Sequence, residues 1–411
     1  MSMQWNTGGA WLSIFLGISI LISGCAFSPS EPSRALPSLI KVGLPTPLND
    51  PYAPWGRDNM EPYTAWIDLF NQKGFQVNGR TYTFKLVAVD DRNSPEGGSA
   101  AAKELVYGEG VKFVAGHWSW SYDAISAVTN PQKVIFVTRN GGGIYYDPLR
   151  QPYNVFGTPS REVWVGGVLA AHEKYPDKKV GILEPDTGLT ASEMEAISRQ
   201  YFDPSGMSYF WQVYRSGTTD FTPYIEKFAE AGCSLVLCDA GFQDVAPFVK
   251  QCRDAGYKWT LGQAGGLADI DDYIGSCGFD AMQGLIGSYF GIWDFQRTKV
   301  NPEYIAMCRQ VMDTLSARHG KPYNYNDWIG WLPSHLLMLA QAMQKAGSAT
   351  DTDVIMQAIR GGTFDTTAGT FRMSGEKTYG SPVVFGSPGA ICHIQGNSAE
   401  YLAEHPVTYI P

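Results

Sequence analysis

VKFVAGHWSWSYDAISAVTNPQKVIFVTRNGGG, running from Val111 to Gly143, is the stretch whose reading decides the fold. Its first six residues form a short apolar run ending in Gly116, which suits a strand buried on both faces. HWSWS follows as a loop. YDAISAVTN then carries Ala124, Ile125 and Val128 at helical spacing, and Asn130-Pro131 stops that helix. KVIFVT is a second apolar strand, and it runs into Arg139, Asn140 and the glycines 141–143. Strand, loop, helix and strand make a βαβ unit, which sets both loops on one edge of a parallel sheet. Open α/β sheets bind ligands beyond the carboxyl ends of their strands, where helix N-termini offer free N–H groups. Trp118, Ser119, Trp120 and Ser121, with Arg139, Asn140 and Gly141, are therefore candidate ligand-binding residues. The alternative is a plain strand-to-helix turn with its tryptophans tucked into packing.

The same alternation extends in both directions. LIKVGL (39–44) predicts a first strand, a helix is expected over about 60–72, and Asn78-Gly79 is a hairpin turn signal before the strand YTFKLVAVDD. Residues 99–107 read as helical. KKVGIL (178–183) opens a second run, with helices expected over 191–202, 221–231 and 244–255 and strands over 209–214, 234–238 and 258–261. Residues 282–289 read as a strand; 302–318, 328–345 (despite Pro333) and 353–360 read as helices; strand-like pieces begin at Thr370. A chain of 411 residues exceeds one ordinary core, so two α/β lobes are expected. The net charge of -9 argues against a nucleic-acid partner, which needs basic patches. With 12 Trp and 22 Tyr, an aromatic-lined pocket is a live option.

Trp11 to Ile22 (WLSIFLGISILI) has the length of a signal-peptide core and is short for a membrane span. It ends in Ile22-Ser23-Gly24-Cys25, which resembles the lipobox of bacterial lipoproteins, cleaved before the cysteine and lipidated on it. No Lys or Arg precedes Arg34, a departure from the usual basic start, and an uncleaved anchor is the other reading. Residues 1–24 are thus expected as a lipoprotein-type signal peptide and residues 25–38, rich in Ser and Pro, as a tether. Setting Cys25 aside leaves Cys233, Cys238, Cys252, Cys277, Cys308 and Cys392. In an exported protein these become disulfides or stay buried as thiols, and without a C-x-x-C spacing a zinc or thioredoxin-like site has little support.

A search for chemistry finds no nucleophile elbow, no His-Glu-x-x-His, no Walker loop and no dinucleotide fingerprint. Asp90-Asp91 and Asp271-Asp272 are adjacent acids rather than dyads, because neighbours in a strand point to opposite faces; both pairs are expected as solvated loop carboxylates. Arg139 differs, being a cation at a strand exit with a fork that suits a carboxylate. A surface or interlobe salt bridge is the alternative role for it. No catalytic residue, metal site or cofactor is expected.

The order of these motifs resembles the periplasmic binding proteins of ABC importers, in particular the branched-chain amino-acid (Leu/Ile/Val) type. The similar segments run from about Leu39 to Gly375: the IKVGLPTPL opening, VAGHWSWS with its helix and VIFVT, NVFGTPSREVWVGG, KVGIL, the stretch GTTDFTPYIEKFAEAGCSLVLCDAGFQDVAPFVKQCRDAGY and IRGGTFDTTAGTFRMSGE. The resemblance implies a type I periplasmic binding fold: two doubly wound, Rossmann-like α/β lobes joined by three crossovers. It implies lobe 1 from residues 39–158 plus 287–360 and lobe 2 from 159–286 plus 361–411. Such proteins are not enzymes; they trap a small ligand between the lobes and hand it to a permease and ATPase complex.

The ligand pattern departs from that of the amino-acid binders. An ungapped match puts Trp120 at the family's carboxylate-binding serine, flanked by Ser119 and Ser121, and Gly142 at its threonine. The tyrosine-glycine loop after KVGIL becomes Thr187-Gly188, and Ala264 stands in the GQAGG loop where an acid should hold the α-ammonium. A buried ammonium without a carboxylate is heavily penalised. Trp118, Trp120, Phe242 and Arg139 suit an aromatic or otherwise hydrophobic acid better than a plain α-amino acid. The expected function is an exported, lipid-anchored solute-binding protein. The alternatives are a ligand-sensing module of the same fold and an exported hydrolase.

Overall fold

Parallel strands covered on both faces show up as unbroken apolar runs, and the chain supplies them in two groups. The computed structural model describes residues 38–49, 53–117, 121–138, 147, 149–157, 160–186, 191–267, 270–290, 300–323, 327–384 and 389–405. The first group contains β1 (Ser38–Thr46), β2 (Phe75–Val77), β3 (Arg80–Asp90), β4 (Phe113–His117), β5 (Ile135–Thr138) and β6 (Asn154–Phe156), in the sheet order β2-β3-β1-β4-β5-β6. Only the β2–β3 pair is antiparallel, joined by the Asn78-Gly79 turn with both residues at positive φ (47° and 78°). Every residue of β5 is buried.

Helices α1 (Ala53–Asn71), α2 (Pro95–Lys103) and α3 (Tyr122–Thr129) connect these strands. α1 starts well before the expected Met60 and keeps Pro62 within it. α2 opens at Pro95 because Ser94 caps it, its side chain accepting from the Gly97 N–H. α4 (Ser160–Lys174) leads into the second group, β7 (Val180–Pro185), β8 (Tyr209–Tyr214), β9 (Leu235–Cys238), β10 (Thr260–Gly266) and β11 (Ile286–Phe290). Between them run α5 (Ala191–Ile197), α6 (Asp203–Ser205), α7 (Thr222–Glu230), α8 (Phe242–Asp254), α9 (Ile270–Cys277) and α10 (Phe279–Met282). The long helices α11 (Pro302–His319), α12 (Asp327–Ala346) and α13 (Thr352–Ile359) follow, then the hairpin β12 (Thr363–Thr366) and β13 (Gly369–Arg372), α14 (Glu376–Tyr379) and the strands β14 (Gly389–Gln395) and β15 (Ser398–His405). The second sheet is ordered β15-β14-β11-β10-β9-β7-β8.

The chain thus passes from the first body to the second after β6, returns after β11, and crosses again before β14. Two of its segments divide differently from the expectation. β11 spans the boundary expected at residue 287, yet it pairs with β10 and β14 in the second sheet. Residues 363–384, expected in lobe 2, pack in the first core: Phe364, Phe371, Met373 and Val384 share a buried cluster with Trp331 and Leu336 of α12. The physical reason is the apolar face of α12, which the hairpin covers, and the Phe156 N–H, which donates to the Val383 carbonyl at 3.0 Å and draws Val384 alongside β6. Among the described residues of the tail, only β14 and β15 join the second sheet.

Candidate ligand-binding site

The carboxyl ends of the parallel strands collect the polar residues. At the first sheet, Asp90 closes β3 and accepts from the Leu48 N–H at 2.9 Å, from Asn49 Nδ2 at 2.6 Å and from the Arg92 N–H at 3.0 Å. Burial pushes its carboxyl up, but these hydrogen bonds and the Arg92 charge outweigh that and hold it below the ordinary range. Asp91 is fully buried rather than solvated, a correction to the sequence expectation. It accepts from Ser121 Oγ at 2.9 Å and from the Asn93 N–H at 3.0 Å. Ser121 is itself buried at the start of α3, packed so closely against α2 that a Cβ on Gly98 would stand 2.2 Å from the Ser121 Cβ.

Next along the edge, β4 carries one extra residue against β5: its register slips between Ala115 and His117. Such bulges re-aim a chain next to binding sites. Gly116 sits in this slip at φ +91°. A Cβ there would lie 3.1 Å from Tyr63 Cε1, 3.2 Å from Leu44 Cδ1 and 3.3 Å from Leu332 Cδ2. From α1, the fully buried Asn59 donates through Nδ2 to the Gly116 carbonyl at 3.2 Å. One turn on, Tyr63 is fully buried and its hydroxyl pKa is driven up by that burial.

The second sheet presents an edge of different chemistry. β10 also slips in register, between Gln263 and Gly266. Gln263 donates through Nε2 to the Ala240 carbonyl at 2.7 Å and accepts from the Tyr273 hydroxyl. Those two bonds tie the end of β10 to the turn before α8 and to α9. Ala264 is buried in the cluster that holds Trp164, Val168, Ile182 and Leu237. Phe242, the first residue of α8, is half-buried and meets the Tyr273 ring edge-on at 6.1 Å between centroids. Gly-Gln-Ala-Gly-Gly (262–266) therefore brings no carboxylate to this edge.

A model of the periplasmic binding protein family matches residues 39–383. This chain belongs to the periplasmic binding protein family. Among its relatives, the Leu/Ile/Val-binding protein homolog 2 of Brucella abortus (strain 2308) is 23% identical over 350 residues, covering 84% of this chain and 90% of that protein. The leucine-binding protein LivK of Thermotoga maritima shares the fold at a TM-score of 0.66 and 15% identity, covering 89% of this chain and 99% of that one. A solute-binding protein of an ABC transporter from R. palustris, solved in complex with 4-hydroxybenzoate, does so at a TM-score of 0.70 and 18% identity, covering 90% and 99%. The two-lobed α/β architecture and the Leu/Ile/Val-type relationship are thereby shown, and the family is one of solute-binding proteins.

Of the site residues read from the sequence of this binding protein, Ser121 lies on the first sheet's edge, and Phe242 and Ala264 belong to the second body. Gln263 bonds bring the Phe242 and Ala264 neighbourhoods together. Trp118, Ser119, Trp120, Arg139, Asn140, Gly141, Thr187 and the lipidation candidate Cys25 lie outside the described residues. Asn59 and Asp91, buried beneath the same edge of the first sheet, were not among them. The signal for Asn59 was available: it shares the helical face of Tyr63, Trp66 and Ile67, and a polar residue in an apolar stripe marks a buried task.

A charged cleft of about 250 Å³ is lined by Arg57, Asp58, Glu61, Asp271, His319 and Lys321, with the Tyr323 ring beside them. His319 Nε2 is 2.7 Å from Glu61 Oε2, and Lys321 Nζ is 2.6 Å from Asp271 Oδ2. The second pair links the segment after α11 to α9 of the other body. Its partners are 59% and 38% exposed, so it contributes at most about 1 kcal/mol. Cations and acids offset one another here, which does not suit a single organic anion.

The six cysteines from Cys233 onward are free thiols, five of them buried; Cys233, Cys238, Cys252 and Cys392 sit in the second core. Among the described residues there is no cluster of His, Cys, Asp and Glu fit to hold a metal, and no helix long and apolar enough to cross a membrane.

Proposed function

We propose that this protein is the extracytoplasmic solute-binding lipoprotein of an ABC importer, and that its ligand is an aromatic or otherwise hydrophobic carboxylate held between the lobes. The observation that carries the ligand class is the end of β10. Its Gly-Gln-Ala-Gly-Gly sequence has no acid, Gln263 is committed to Ala240 and Tyr273, and Ala264 is core. An α-ammonium buried here would meet no carboxylate from this loop, at a cost of several kcal/mol. Phe242 and Tyr273 place ring surface beside the same loop. In this reading Trp118 and Trp120 flank the ligand's apolar part and Arg139 pairs with its carboxylate. The 4-hydroxybenzoate complex of the R. palustris protein supports the ligand class. The Cys25 lipid anchors the protein, and the permease and ATPase receive the ligand.

Native mass spectrometry of the purified protein, followed by isothermal titration with 4-hydroxybenzoate and with leucine, tests the reading. A co-purified aromatic acid and tighter binding of 4-hydroxybenzoate are expected. Binding of leucine with no response to 4-hydroxybenzoate would overturn it.

A further inference from the structure

A solute held between two bodies enters and leaves only when the bodies part, so whatever joins them across the gap bears on how tightly it is kept. The ion pairs Lys41–Glu109, Lys73–Glu303 and Lys133–Asp353 stay within the first body, and Arg199–Glu195 and Lys250–Asp254 within the second. Lys321–Asp271 crosses between them, with Nζ and Oδ2 at 2.6 Å. Both residues line the charged cleft, where Arg57, Asp58 and Glu61 of α1 form part of the first body's wall.

Each partner is held out by its own body. Lys321 follows Gly320, which ends α11 at φ +67°. Before it, His319 meets Glu61 of α1 at 2.7 Å; after it, the Tyr323 N–H donates to Ser316 Oγ at 2.8 Å. The turn is thus fastened to the first body on both sides of Lys321, and the ammonium reaches across. Asp271 stands in the first turn of α9, the helix that follows β10 in the second body. Helix dipoles favour an acid at the start of α9 and a base past the end of α11. They give no reason for the two charges to meet.

The attraction is short-ranged. It is largely screened once the charges stand more than about 10 Å apart in 0.1 M salt. A pair whose partners sit on separable bodies therefore stabilises the arrangement in which the bodies are together. Apparent affinity scales with the population of the binding-competent arrangement, so even an exposed pair is felt in binding.

We propose that Lys321 and Asp271 form an electrostatic latch that favours the closed arrangement of the two bodies and thereby sets how tightly the ligand is retained. The effect on affinity rests on the reading of a ligand held between the lobes; the latch itself rests on the contact.

The test compares Lys321→Asp, Asp271→Lys and the double charge swap with Lys73→Asp, which breaks an exposed pair inside the first body. Two readouts are taken: isothermal titration with 4-hydroxybenzoate, and the radius of gyration of the ligand-free protein by small-angle X-ray scattering. Each single latch variant should lose about fivefold in affinity, the scale of one exposed ion pair, and should scatter as a more open molecule. The swap should recover most of both changes, 1 M salt should shrink the differences, and Lys73→Asp should match the wild type. The two single variants alter net charge in opposite directions. A general attraction for an anionic ligand would move their affinities apart, whereas a broken latch moves both the same way. Wild-type values of either readout in both single variants, or a swap no closer to wild type than the singles, would overturn the proposal. If the wild type does not bind the probe, the ligand reading fails and scattering decides the latch alone: expansion in the singles that the swap reverses sustains it, and unchanged dimensions refute it.

Discussion

Replacing Gly116 by alanine separates two costs that usually arrive together. At φ +91° any side chain is strained, and a non-glycine residue in such a region costs about 1–3 kcal/mol. The added methyl would also stand 3.1–3.3 Å from Tyr63, Leu44 and Leu332. All three neighbours belong to the same buried cluster, so they cannot move into solvent, and overpacking of this kind costs a further ~1–3 kcal/mol. Gly79→Ala is the matching reference. It has φ +78° in the β2–β3 turn, and nothing lies within 4 Å of its added Cβ. Both substitutions reduce unfolded-chain entropy alike, which cancels in the comparison. Urea unfolding followed by circular dichroism should therefore show Gly116→Ala less stable than Gly79→Ala by about 1–3 kcal/mol, with similar m values. A Gly116→Ala loss equal to or smaller than that of Gly79→Ala would refute the close packing of α1 and α12 behind the loop.

If the ligand is the proposed aromatic acid and Arg139 pairs with its carboxylate, Arg139→Ala should weaken binding well over tenfold, because losing a charged partner in a desolvated pair costs about 2–5 kcal/mol; unchanged affinity in a folded variant would give Arg139 a structural role and reopen neutral ligands. Burial raises the Cys233 thiol to about 11 and those of Cys252 and Cys308 to about 12, with Cys238 also well above its ordinary value. Folded values above the unfolded one mean that their stabilisation is complete below about pH 8.5. It is lost as pH rises through the folded values, so the urea midpoint should fall above about pH 9. Under native conditions at neutral pH, a thiol reagent should reach the half-exposed Cys277 before the five buried cysteines; simultaneous labelling of several would contradict the buried-thiol arrangement. A Cys25→Ser variant should be released from membranes into the soluble fraction, whereas equal retention would point to an uncleaved anchor.

Most of the element order was legible in the sequence because parallel strands covered on both faces must be apolar throughout. VKFVAG, KVIFVT, KKVGIL and SLVLC carry that signal locally, and each lies in or around a strand of the structure. The Asn78-Gly79 turn was legible for a similar reason: its positive φ values select those residue types wherever they occur. α11 and α12 were legible from their length and apolar spacing, Pro333 notwithstanding.

What the chain order could not determine was partnership. Residues 363–384 follow the helices of the first body and precede strands of the second, and their sequence is compatible with either. The apolar face of α12 and the Phe156–Val383 hydrogen bond assign them to the first. The six cysteines offered disulfides or thiols alike, and the choice depended on which residues share a core. Asp91 looked like an exposed loop acid because a neighbour in sequence, Asp90, does face the loop; its burial comes from Ser121 and from α2 lying close above it. The sequence by itself determined the strands, the turns and the class of fold, since those follow from local periodicity. The tertiary structure alone decided which polar residues lie beneath the carboxyl edge of the first sheet. Asn59, Thr46, Asp91 and Ser121 are far apart along the chain, and a hydrogen bond between them exists only once the sheet has brought their backbones together.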